Sequence, residues 1–87
     1  MLKGTTKSGF SFEIADERLN NMELLDALAE LDAGDSAQLS WVLKRLFSTD
    51  QKKALYDRLR TPAGTVPLEA VTAELEEIFA SGQQGKN

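Results

Sequence analysis

Between residues 10 and 34 the spacing of apolar positions changes from two to between three and four. Phe10, Phe12 and Ile14 alternate with Ser11 and Glu13, which predicts a short amphipathic strand with one apolar face. Upstream, residues 2–6 predict a first strand whose lysine and threonines suit a sheet edge. Lys7-Ser8-Gly9 supplies the turn between them, since Gly9 takes positive φ at no steric cost. A two-stranded hairpin is marginal alone in water. The Phe10/Phe12/Ile14 face must therefore lie on helices of the same chain or on another chain.

Residues 15–20 are polar and read as a turn. Asn20, with Glu23 three residues on, has the spacing of a capping box and predicts a helix over 21–31. Leu24, Leu25, Leu28 and Leu31 form its apolar stripe, with Glu23, Asp26 and Glu30 behind and Gly34 as the stop. Asp35 or Ser36 caps a second helix over 37–47, with Leu39, Val42, Leu43, Leu46 and Phe47 on a broad apolar face. Trp41 falls opposite that face, between Lys44 and Arg45. Either this helix touches layers on both sides, or Trp41 is a surface anchor of the kind enriched at binding hot spots.

Ser48 with Gln51 repeats the capping-box spacing and starts a third helix over 49–60, whose stripe is Leu55, Tyr56 and Leu59. Residues 61–67 hold two prolines and a glycine and make a loop. Pro67 suits the first turn of a fourth helix, where Leu68, Val71, Leu75, Ile78 and Phe79 keep helical spacing to about residue 80. Ser81-Gly82 is expected to end it, leaving 83–87 as a flexible, disordered tail. The expected fold is mostly α, of α+β type: an N-terminal hairpin packed on four short helices, one domain over residues 1–82.

Composition narrows the chemistry. The chain has 87 residues, no cysteine and no histidine. Disulfides, thiolate chemistry, Ser-His-Asp and Cys-His arrangements and imidazole- or thiolate-based zinc sites are all excluded. Asp32-Ala33-Gly34-Asp35-Ser36 lacks the spacing of a calcium loop and reads as a helix-to-helix turn. Glu74, Glu76 and Glu77 spread around one helix and read as a solvated face, not an acid–base pair. The isolated glycines form no phosphate loop. No enzyme activity and no cofactor are expected. Residues 1–6 have no apolar core for a signal peptide, and no apolar run is long enough to span a bilayer. The expected location is the cytoplasm of the cell that makes it.

Charge is uneven. The net charge is −4, but residues 41–62 hold Lys44, Arg45, Lys52, Lys53, Arg58 and Arg60 against Asp50 and Asp57 only. Acidic segments flank this basic middle. Such a pattern suits electrostatic docking, on a partner or head-to-tail between copies of the chain as a homo-oligomer. It also raises a second reading, a small helical DNA-associated regulator using region 44–60, with Phe47-Ser48-Thr49 as the turn of a helix-turn-helix. The negative net charge, and Asp50 and Asp57 beside the lysines, count against nucleic acid.

Four segments together carry a family likeness: Lys3-Gly4-Thr5-Thr6, Ser8 through Ile14 (SGFSFEI), Met22 through Leu31 (MELLDALAEL), and Thr65-Val66-Pro67-Leu68 at the entry to the last helix. Their order resembles the tail assembly chaperones of long-tailed phages and prophages of Gram-positive bacteria, from Lys3 to Phe79. The resemblance implies a non-enzymatic assembly factor. Such a factor binds the tape measure protein, keeps its apolar helices soluble and recruits tail tube protein. It also implies, for many members, a longer form made by frameshifting, for which a purine-rich stretch encoding Gly85-Lys86-Asn87 would serve. A minor structural tail or connector protein is the third reading. A holdase needs apolar surface beyond its own core. The candidates are Trp41, Phe47, Ile78, Phe79, Phe10 and Phe12, with Lys44 and Arg45 beside Trp41.

Overall fold

A computed structural model describes residues 1–84 of the chain. Strands β1 (Leu2–Thr5) and β2 (Ser11–Ile14) pair antiparallel, with Leu2 opposite Ile14 and Gly4 opposite Phe12. Thr6 N–H donates to Phe10 O at 2.9 Å and Gly9 N–H to Thr6 O at 2.9 Å, closing the turn. Gly9 sits at φ +93°, as the turn requires. Gly4 has a different reason. A Cβ there would stand 3.1 Å from Cζ of Phe12, whose ring lies across the opposite strand.

Five helices follow: α1 (Asp16–Leu19), α2 (Met22–Asp32), α3 (Gln38–Leu46), α4 (Thr49–Leu59) and α5 (Leu68–Gln84). The α+β architecture with an N-terminal hairpin is the expected one. The single turn of α1 takes the place of the polar turn expected over residues 15–20. Its formation moves the next cap by one residue. Asn20 N–H donates to Asp16 O at 2.9 Å and so ends α1. Asn21 is left to start α2, its side chain accepting from Glu23 N–H at 3.0 Å. At the other end Gly34 N–H donates to Leu31 O and Asp35 N–H to Glu30 O, each at 3.0 Å, with Gly34 at φ +110°. That is the bonding of a Schellman stop. Ser48 Oγ accepts from Gln51 N–H at 3.2 Å and starts α4 where the sequence placed it.

The core answers the question left open for the hairpin. Phe10, Phe12 and Ile14 are buried, and they join Val42, Leu43, Leu46, Phe47, Leu55, Val71, Leu75 and Ile78 in one cluster. The ring of Phe10 meets that of Phe47 edge-on at 5.6 Å between centroids. The hairpin is therefore covered by helices of its own chain. Helix α3 lies centrally and packs against α1, α2 and α4, while α5 packs against α4 and β1.

Two expectations for α5 are corrected. The helix passes through Ser81 and Gly82 and runs to Gln84; the rest of the expected tail, 85–87, lies outside the described residues. Glu74 is not on a solvated face. It is 6% exposed and accepts hydrogen bonds from Thr6 Oγ1 at 2.8 Å and Ser8 Oγ at 3.1 Å. One turn on, Glu77 Oε2 accepts from Lys7 N–H at 2.9 Å. Two carboxylates of α5 thus hold the hairpin turn, across 66 to 70 residues of sequence.

Candidate functional site

The eight side chains singled out from the sequence separate into two groups. Phe10, Phe12, Phe47 and Ile78 are 3% exposed or less and belong to the core. In the folded monomer they offer no docking surface, because the hairpin and the helices bury them against one another. Trp41, Lys44, Arg45 and Phe79 reach the surface.

Trp41 is half-buried on α3, with the guanidinium carbon of Arg45 4.5 Å from its ring centroid. Arg18 Nη1 donates to Arg45 O at 3.3 Å and ties α1 to this helix. The ring packs against the core cluster, as expected of a central helix, and carries the Arg45 cation over its face.

Phe79 belongs to a different feature. The C-terminal half of α2 and the middle of α5 run beside a groove of about 450 Å³ lined by Leu28, Leu31, Thr72, Leu75 and Phe79, with Asp32 and Glu76 among the lining carboxylates. It exists because α2 packs mainly on α3, and α5 on α4 and β1. Neither helix is drawn against the other. Ser36 also lines a second hollow of about 290 Å³, shared by Leu43, Tyr56, Val66 and Leu68. Leu68 is 60% exposed, and Leu25, one turn before Leu28 on α2, is 57% exposed. From Leu68 to Phe79 the apolar strip along α5 extends on the order of 16 Å, about three helical turns.

The sequence hid this groove. Leu25, Leu28, Leu31 and Phe79 share helical spacing with Leu24, Leu75 and Ile78, so all read as one core stripe. What splits them is which helices each one packs against, which periodicity does not encode.

The groove is also acidic. No lysine or arginine occurs between Arg18 and Lys44, or between Arg60 and Lys86. Helix α2 bears Glu23, Asp26, Glu30 and Asp32; α5 bears Glu69, Glu74, Glu76 and Glu77. Glu74 and Glu77 are occupied by the hairpin turn. Asp32 and Glu76 remain at the groove, and Glu69, seven residues before Glu76, shares its flank. Among the described residues, no ion pair involves α2 or α5.

The basic middle is largely engaged on its own surface. Lys53 Nζ donates to Asp57 Oδ2 at 3.1 Å and Arg60 Nη2 to Oδ1 at 3.4 Å. The Lys53 hydrogen bond and charge, then Arg60, hold the Asp57 carboxyl below its ordinary 3.8. Its small contribution to stability is present above that ordinary value and is lost as pH falls through the lowered one. Lys52 Nζ lies 5.9 Å from the Tyr56 ring centroid. The guanidinium of Arg58 lies against Gly9, where a Cβ would stand 3.0 Å from Nη1. Generic duplex DNA at low salt is accordingly expected to show no retention of the protein. Salt-sensitive retention would revive the DNA-binding reading.

Among the described residues no group of three or more Asp or Glu side chains is arranged to hold a metal ion, and no helix is long and apolar enough to cross a membrane. No family model, curated protein or solved structure matches the chain.

Proposed function

We propose that this protein is a tail assembly chaperone of a long-tailed phage or prophage. In this reading it works without catalysis, in the cytoplasm of the bacterial host. It binds the tape measure protein and assists tail tube assembly through protein–protein contacts. The sequence likeness from Lys3 to Phe79 supports the family, and the α2–α5 groove supports the mode of action. A holdase must keep apolar surface free after its own core is complete, and this groove is apolar surface that the core does not consume. The engaged state of the basic side chains weighs against the DNA-associated alternative.

The test is co-production with a tape measure protein of a long-tailed phage. With the wild-type protein, the tape measure protein is expected in the soluble fraction. With a Leu28→Ala/Phe79→Ala variant, whose folding is checked by circular dichroism, that fraction is expected to fall several-fold. A soluble fraction that is the same with and without the chain would sink the chaperone reading and leave a minor structural tail or connector protein as the stronger one.

A further inference from the structure

We infer that the α2–α5 groove takes an amphipathic helix of another protein whose apolar ridge is flanked by lysine or arginine. The inference rests on the protein-binding reading above and adds the chemistry of the partner. Shape gives the first half. The groove is an apolar channel about two turns long between two helices, open to solvent and lined by Leu28, Leu31, Thr72 and Phe79. One side of a helix, repeating at three and four residues, fills such a channel; an extended strand would present alternate side chains to solvent and leave its backbone unpaired.

Charge gives the second half. Asp32 lies on the α2 side and Glu76 on the α5 side, with Glu69 two turns before it. No cation stands on either helix to neutralise them. An acidic partner flank would meet like charge along both walls, whereas a basic flank meets opposite charge on both.

A second copy of the folded chain does not meet this description. Its basic helix is α4, and the apolar residues of α4 are turned inward: Leu55 is fully buried, and Tyr56 and Leu59 are packed on the core. With Leu55 buried, α4 offers no continuous apolar ridge between its basic flanks.

The experiment is an NMR titration of the labelled full chain with two synthetic helices about five turns long. They share the same leucine ridge. One carries lysine on its flanks, the other glutamate. The leucine–lysine helix is expected to shift the amides of Leu28, Leu31, Thr72 and Phe79. Its affinity is expected to fall about tenfold in an Asp32→Lys/Glu76→Lys variant. The leucine–glutamate helix is expected to leave those amides unmoved. Equal shifts from both helices overturn the inference while leaving a protein-binding groove in place. Shifts confined to the Trp41 surface overturn it by moving the site. Groove amides that shift with protein concentration alone overturn it in favour of a second copy. None of these outcomes depends on the tape measure co-production, so the two readings fail separately.

Discussion

Phe10→Ala is expected to cost about 3–5 kcal/mol, the range for truncating a fully buried aromatic side chain. A domain of this length holds roughly 4–13 kcal/mol in total, at about 0.05–0.15 kcal/mol per residue. The variant should therefore lie near or past its unfolding midpoint in water. The size of the effect comes from where Phe10 sits. It is 2% exposed, meets Phe47 edge-on at the junction of α3 and α4, and lies 6.4 Å from the Phe12 ring. It follows directly on the hairpin turn, so its ring fastens β2 to the central helix. Without it the hairpin loses the contact that makes two strands sufficient. Phe79→Ala is the control. Phe79 is half-buried and faces the groove, so its removal opens solvent-filled space, not a sealed cavity, and should cost about 1 kcal/mol. Urea unfolding followed by circular dichroism measures both. Equal midpoints for the two variants would contradict this division between core and groove.

The same division shows which parts of the fold were legible in the sequence. The hairpin was legible because period-two alternation over Phe10, Phe12 and Ile14 admits few other readings, and Gly9 marks the turn. The α3–α4 junction was legible because Ser48 and Gln51 name a cap in three residues. Local signals failed where two local solutions compete. Asn20 and Asn21 are both good caps, and only the formation of α1 decides that Asn20 closes one helix and Asn21 opens the next. Ser81-Gly82 looks like a stop, yet α5 continues through it to Gln84. Non-local pairings left no trace at all. Glu74 and Thr6 stand 68 residues apart, and nothing in either neighbourhood distinguishes Glu74 from the exposed Glu76. The groove has the same origin. Its leucines carry the pattern of a core, and only the arrangement of three helices leaves them unfilled.

Glu74→Ala is expected to cost about 2–4 kcal/mol, with the loss concentrated in the hairpin. Thr6 and Ser8 each have one hydroxyl proton, and both are directed at the same carboxylate oxygen of Glu74. Their own 3.1 Å approach follows from sharing that acceptor. Thr6 is 5% exposed, and its Oγ1 also accepts from Phe10 N–H at 3.3 Å. Removing the carboxylate therefore leaves a buried hydroxyl without its acceptor, beside the residue on which the hairpin depends. Glu74→Gln keeps a carbonyl oxygen for the same donors but loses the charge, and should cost about 1 kcal/mol. Glu74→Leu keeps the volume and strands the hydroxyl as alanine does, so it should resemble Glu74→Ala in cost. Combining Glu74→Leu with Thr6→Val removes donor and acceptor together, and the pair should show a coupling of about 1–2 kcal/mol. Amide hydrogen exchange locates the effect. Protection at Thr6 and Gly9, whose N–H groups close the turn, should fall before protection in α3 does. A Glu74→Ala variant that exchanges uniformly across hairpin and helices, or that loses less than about 0.5 kcal/mol, would show that the hairpin is held by Phe10, Phe12 and Ile14 alone.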